Sequence, residues 1–177
     1  MQPLIETARL VLRPFTAGDA GVVQKLAGRR EVSETTSYIP HPYEDGMAEA
    51  WIASHAIAWA NRTRIAYAIT VKESGQLIGA VSLSQIEKET AELGYWIGLP
   101  SWGNGYCTEA AAGLLKRAPL EFGIFNIRAV HLSANPASGR VLQKLGLTHI
   151  RNEQMADRNG AMSDVGVYLG DLRALYR

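Results

Sequence analysis

The sequence predicts an α+β domain built on one mixed sheet, and three observations carry that prediction. Runs that alternate every second residue interleave with runs at helical spacing along the whole chain. A strand, a helix and a strand follow one another from Ala91 to Ser133, a crossover unit that sets two strands parallel. Two hairpin signals, Ser74-Gly75 and Asn159-Gly160, set their flanking strands antiparallel. With 177 residues, 47% of them hydrophobic, and no Pro/Gly/Ser-rich linker or internal repeat, the chain reads as a single domain over residues 1–177.

Each element has its own signal. Arg9 to Arg13 alternates as an opening strand that Pro14 ends, and Asp19 is placed to cap a helix near Val22 to Leu26. From Glu44 to Ala60, Trp51, His55 and Trp59 recur every four residues beside Ile52, which predicts one apolar helix face with these residues in the core. Ile65 to Val71 and Leu77 to Leu83 read as the first hairpin. A strand follows from Ala91 to Gly98, with Glu92, Gly94 and Trp96 on one face and Leu93, Tyr95 and Ile97 on the other. Glu92 is the anomaly on an otherwise apolar run. Thr108 to about Ala118 reads as a helix, acidic early at Glu109 and basic late at Lys116 and Arg117, which Pro119 kinks or ends. Ile127 to Ser133 is a strand and Pro136 to Leu145 a short helix stopped by Gly146. Thr148 to Met155 and Met162 to Leu169 close the sheet around Asn159-Gly160.

Charge and cysteine content set aside several classes of function. Eighteen Lys and Arg against 17 Asp and Glu leave a formal charge of +1, which gives no sequence-wide footprint for nucleic acid or an anionic membrane. No stretch approaches the roughly 20 apolar residues of a membrane span, and the N-terminal residues lack a secretory pattern. The single cysteine, Cys107, forms no intramolecular disulfide and no multi-Cys zinc site, and the four histidines lack metal-ligand spacing, so no metal is expected. The chain therefore reads as cytoplasmic, a monomer or a homodimer.

The segment that carries chemistry is Gly103-Asn104-Gly105-Tyr106-Cys107-Thr108, between a strand and a helix. Backbone N–H groups converge on an anion in that setting, and glycine permits positive φ and a close approach to a phosphate; the alternative is a tight turn with no ligand. A Walker loop is excluded because the chain contains no Gly-Lys pair. A dinucleotide fingerprint is weakened by Thr108 at the position of its third glycine and by the mid-chain location.

The stretch Ser101 to Ala110, SWGNGYCTEA, preceded by ELGYWIG over Glu92 to Gly98, resembles the GNAT acetyltransferases, in particular the Rim-type branch that acetylates N-termini of ribosomal proteins. The family's Q/R-x-x-G-x-G/A loop is matched by Trp102 to Cys107, with Trp102 replacing Gln/Arg and Cys107 replacing Gly/Ala; Cys107 adds bulk near the diphosphate position. TARLVLRPF (Thr7 to Phe15), PHPYEDGMAEAWI (Pro40 to Ile52) and NPASGRVLQKLGL (Asn135 to Leu147) extend the resemblance over nearly the whole chain.

The resemblance implies a mostly antiparallel twisted sheet flanked by helices, acetyl-CoA as co-substrate, and direct attack by a primary amine in a ternary complex. Trp102, Gly103, Asn104, Gly105, Tyr106, Cys107 and Thr108 would hold the coenzyme, and a backbone N–H of Trp96 or Ile97, at a bulge in the strand, would face the thioester carbonyl. Asn135 would bind the pantetheine arm, or only cap its helix. Ser138 would protonate the departing thiolate, or be only a first-turn residue. Glu92, on the strand leading to the loop, is the candidate base; a structural ion pair is its alternative. Cys107 lies at the wrong end of the coenzyme for a covalent acetyl-enzyme. Tyr38, His41 and Tyr43 line the acceptor pocket or form an ordinary polar loop. The acceptor expected is a protein N-terminal α-amino group; the alternatives are a polyamine or antibiotic, a non-catalytic acyl-CoA sensor, or a nucleotide-binding module.

Overall fold

A computed structural model describes residues 2–176. Along the chain run β1 (Ile5–Glu6), β2 (Leu10–Arg13), α1 (Ala20–Ala27), α2 (Arg30–Ser33), α3 (Met47–Ala60), β3 (Arg64–Val71), β4 (Leu77–Glu87), β5 (Thr90–Ile97), α4 (Tyr106–Arg117), β6 (Asn126–Leu132), α5 (Pro136–Lys144), β7 (Thr148–Ala156), β8 (Met162–Asp171) and α6 (Leu172–Leu175). The strands form one sheet in the order β1-β2-β3-β4-β5-β6-β8-β7, and β5 with β6 is its parallel pair. The remaining neighbours are antiparallel. The α+β class with a mixed, mostly antiparallel sheet flanked by helices is thus the architecture found.

Strand alternation divides the core between the two faces of the sheet. Ile65, Tyr67 and Ile69 of β3 and Leu93 and Ile97 of β5 pack with Ala110, Ala111, Leu114 and Leu115 of α4 on one face. Ala68 of β3 packs with Val23 and Ala27 of α1 and Ile52 of α3 on the other, where Trp96 joins them. The assignment of Glu92, Gly94 and Trp96 to the face opposite Leu93, Tyr95 and Ile97 holds.

The ladder between β5 and β6 pairs Thr90 with Asn126 through Leu93 with Ala129 and stops there. Beyond Leu93 the two strands separate, and the sheet opens in its middle. Register between β4 and β5 is unbroken from Glu92 to Ile97, so β5 carries no bulge at Trp96 or Ile97; the irregularity lies in β4, between Ser84 and Glu87. Gln85 there has φ +49°.

Local differences from the sequence reading have physical causes. Asp19 does not cap α1 with its side chain; its carboxylate accepts from the Thr16 N–H at 2.7 Å and from the Arg13 guanidinium at 2.7 and 2.8 Å, closing a 3-10 turn before the helix. Helix α4 starts at Tyr106 rather than Thr108, because Gly105 takes φ +75° as its N-cap. Pro119, lacking an N–H, passes α4 into a π-helical turn, Ala118–Phe122. Asn159-Gly160 sits in a longer loop held by Asp157, whose Oδ1 accepts from the N–H groups of Asn159 and Ala161. Helix α3 has no single apolar stripe: Trp51 packs toward α1, Trp59 meets Phe122 at 6.0 Å between centroids, and Ile57 is 67% exposed.

His55 is buried as expected, edge-on to Trp51 at 4.4 Å between ring centroids. Neither ring nitrogen has a hydrogen-bond partner among the described residues, and burial, then the charge of Arg64, pushes its pKa from 6.5 down to about 4. The imidazole is therefore neutral in the fold and takes up a proton more readily on unfolding. The stability that His55 contributes is expected to be full above pH 6.5 and to decline as pH falls toward about 4. His55→Leu, which removes two unsatisfied polar atoms at similar volume, is expected to keep neutral-pH stability and to flatten that decline. Urea unfolding at neutral pH and midway between the two values measures both effects.

Candidate active site

The anion site predicted at the glycine loop is built as a helix N-terminus with no internal cap. Gly103 and Gly105 have φ +77° and +75°, conformations that an L side chain strains. The first helical bond of α4 runs from the Glu109 N–H to the Gly105 carbonyl at 3.1 Å, leaving the N–H groups of Tyr106, Cys107 and Thr108 without partners among the described residues. A Cβ at Gly103 would meet nothing within 4 Å, so the approach to these amides is open. Trp102 donates from Nε1 to the Ile97 carbonyl at 2.6 Å, fastening the loop to the end of β5. Asn104 spends its side-chain N–H groups on the carbonyls of Ser101 and Trp102, so it shapes the loop. Three amides at the positive end of α4, in an open setting, fit the diphosphate of acetyl-CoA.

Cys107 departs from its expected position. It lies in the first turn of α4 and packs against the core, so its bulk turns away from the anion site. Burial pushes the thiol up to about 12, which keeps it protonated near neutral pH and unsuited to attack an acyl group.

Sequence reasoning missed Arg9 and Glu109 as residues of this site. Glu109, in the first turn of α4, accepts from the Thr7 hydroxyl, the Arg9 N–H and Arg9 Nε, each at 2.7 Å. Burial pushes its carboxyl up, and these donors outweigh that effect and hold it below the usual carboxylate range. The Arg9 guanidinium lies 4.6 Å from the Tyr106 ring centroid and beside Gly105. A cation thus stands at the mouth of the anion site.

A cleft of about 620 Å³ runs from β3 across the opening between β5 and β6 to α5. Its walls include Glu92, Tyr95, Trp96 and Ser138, together with Tyr38 and Tyr43. His41 does not line it: Nδ1 lies 3.2 Å from the Gly28 carbonyl on the exposed side of the loop. Glu92 is paired through Oε2 with Arg128, directly opposite on β6; Arg128 also meets Glu153, which meets Arg151. The ion pair named above as the alternative is present, and it orients the carboxylate while Oε1 has no partner among the described residues.

On the far wall, Tyr95 Oη lies 3.1 Å from Ser138 Oγ and 3.2 Å from the Ser138 carbonyl. Tyr95, placed from the sequence only on the face of Leu93 and Ile97, thus lines the cleft beside Ser138. Burial raises its pKa well above the ordinary phenol value, so it stays an O–H donor. Asn135 caps α5, accepting from the Ser138 N–H at 3.2 Å, and donates to the Thr35 carbonyl at 3.1 Å. Both ends of its amide are in use, as in the capping alternative.

The Gly98 N–H donates to the Ile78 carbonyl, so alternation along the unbroken ladder turns the Trp96 amide toward β4 and the Ile97 amide toward the opening. Of the two amides considered, that of Ile97 is the one facing the opening. Trp96 instead lines the cleft with its ring. No cluster of three or more His, Cys, Asp or Glu side chains able to hold a metal occurs among the described residues, and none of their helices is long and apolar enough to cross a membrane.

Comparison with known proteins gives this geometry a family. An uncharacterized N-acetyltransferase, YoaA of Bacillus subtilis, is 28% identical over 174 residues, covering 95% of this chain and 96% of its own. The crystal structure of a GNAT-family acetyltransferase from Bacillus anthracis superposes with a TM-score of 0.84 at 19% identity, covering 97% of this chain and 99% of its own. A structure described as a putative ribosomal-protein-serine acetyltransferase from Vibrio cholerae superposes with a TM-score of 0.81 at 20% identity, covering 96% and 97%. The acetyltransferase (GNAT) domain model matches residues 9–148, from Arg9, just before β2, to the start of β7. That span exceeds half of the chain, and the protein belongs to the GNAT acetyltransferase family as an acetyl-CoA-dependent N-acetyltransferase.

Proposed function

We propose that the protein acetylates a protein N-terminal α-amino group by direct attack in a ternary complex, with Glu92 as base and a Ser138–Tyr95 hydroxyl pair as acid. The observation that carries this reading is the opening between β5 and β6, where the carboxylate and the hydroxyl pair line one cleft although they belong to opposite faces of β5. Bound acetyl-CoA supplies an activated thioester. The amides of Tyr106, Cys107 and Thr108, with Arg9 beside them, receive its diphosphate. The Ile97 N–H is available to a carbonyl oxygen placed in the opening.

Glu92 Oε1 accepts the proton that the amine loses as the N–C bond forms. An α-amino group, with an ordinary pKa of about 7.7 to 8.0, is partly protonated at neutral pH, so a nearby base raises the reactive fraction. Ser138 donates a proton to sulfur as the C–S bond breaks, and Tyr95 stands behind it as the second hydroxyl. The raised Cys107 thiol, packed against the core, supports direct transfer over a covalent acetyl-enzyme. The α-amino acceptor is supported by the resemblance of the sequence motifs to the Rim-type branch.

Three outcomes test the assignment. Glu92→Gln is expected to lower kcat by about 100-fold or more with acetyl-CoA affinity within about 2-fold of wild type, read by thiol release and calorimetry. Wild-type kcat in that variant removes Glu92 from the chemistry. Ser138→Ala and Tyr95→Phe are each expected to lower kcat by about 10- to 100-fold, and the double variant to cost no more than the worse single one, because the two hydroxyls act as a unit. Independent, multiplicative losses would separate them. Gly105→Ala is expected to weaken acetyl-CoA binding by about 10-fold, since a side chain at φ +75° strains the loop by about 1–2 kcal/mol and displaces the amides.

A further inference from the structure

The cleft carries one cation that nothing in the described chain balances. Arg64, the first residue of β3, is half-buried on the cleft wall and has no salt bridge or side-chain hydrogen bond among the described residues. Sheet register explains where it stands. Arg64 faces Ser84, Ser84 faces Glu92, and Glu92 faces Arg128, so one row of side chains crosses β3 to β6 on a single face. Arg128 neutralises Glu92 from outside the cleft, within a group of two carboxylates and two guanidiniums that is neutral as a whole. Arg64 stands two strand intervals from Glu92, about 10 Å at the Cα level, with only the small Ser84 between.

The surroundings of Arg64 hold no anionic partner for it among the described residues. The next row along the sheet, Ala66, Ser82 and Gly94, keeps the floor low. His55 lines the same cleft as a neutral imidazole with neither nitrogen satisfied. Glu92 is the one carboxylate on the wall among the described residues. A polycationic acceptor would meet an unbalanced positive charge at this end, whereas an anion would give Arg64 its missing partner in a partly desolvated setting, where such pairs are strong.

We propose that the acceptor amine carries an anionic group, a carboxylate or a phosphate, received by Arg64 at the β3 end of the cleft while the amine reaches the β5 end. This rests on the acetyltransferase reading above and narrows its substrate: for a peptide N-terminus, the anion would be an acidic or phosphorylated side chain close to the first residue.

Matched acceptors decide it. Calorimetry on the CoA-loaded protein compares C-terminally amidated Ala-Asp-Gly with Ala-Asn-Gly, amidated Ala-phosphoserine-Gly with Ala-Ser-Gly, and free alanine with alaninamide, so that a side-chain carboxylate, a phosphate and an α-carboxylate are read separately. In at least one pair the anionic member is expected to bind about 10-fold tighter, the size of one charge-assisted hydrogen bond. Arg64→Gln is expected to bring that pair within about 2-fold, the scale of an exposed charge, with unchanged thermal unfolding because the guanidinium has no partner to lose. Absence of an anionic preference in every pair, or a preference that persists in Arg64→Gln, overturns the inference. Thiol release with acetyl-CoA on the same acceptors keeps the two claims apart: an anionic acceptor bound through Arg64 but never acetylated counts against the proposed function and leaves the charge preference decided.

Discussion

The site depends on three backbone N–H groups at the start of α4 remaining unpaired and yet fixed in direction. An N-cap side chain would have satisfied them and closed the site; Gly105 offers none. Rigidity comes instead from contacts on every side of the turn. Trp102 ties the loop to the last residue of β5, Glu109 ties the first turn to Thr7 and Arg9, and the buried Leu114 and Leu115 seat the helix on the sheet. Glu109 would repel an anion at the helix start, and its pairing with Arg9 offsets that charge. The helix dipole and the amides then act on a ligand without reorganising.

The second constraint is the short parallel ladder. Four residue pairs hold β5 to β6, and past Leu93 the strands part while β6 keeps its pairing with β8, on its other edge, as far as Leu132. A continuous sheet would isolate its two faces from each other. The opening lets Tyr95, on the α4 face, and Glu92, on the α1 and α3 face, line the same cleft. The proposed base and the proposed acid pair thereby line the cleft from opposite faces of β5, and each side chain has its own support: Arg128 for the carboxylate and the start of α5 for the hydroxyls.

Features that rest on local chemistry were legible in the sequence. Gly103 and Gly105 announced positive φ, Ser74-Gly75 marked a hairpin, and the alternation around Glu92 assigned the two faces of β5 correctly. Features that depend on distant partners were not. Arg9 and Glu109 are 100 residues apart, and Tyr95 and Ser138 are 43 apart, so no window of sequence joins them. Cys107 looked bulky beside the anion because the helix was placed two residues too late; starting at Tyr106, it turns the side chain into the core. The bulge assigned to β5 lies in β4, where Gln85 adopts positive φ without a glycine to signal it. His41 was drawn toward the cleft by its neighbours Tyr38 and Tyr43, and its tie to the Gly28 carbonyl could not be read from spacing.

The central claim is that coenzyme A is anchored by the first-turn amides of α4. Amide chemical shifts of isotopically labelled protein, followed while CoA is added, test it directly. The account predicts that the largest shifts fall on Gly105, Tyr106, Cys107 and Thr108, with smaller ones at Ile97. Saturable shifts centred elsewhere, with these amides unmoved, would contradict it.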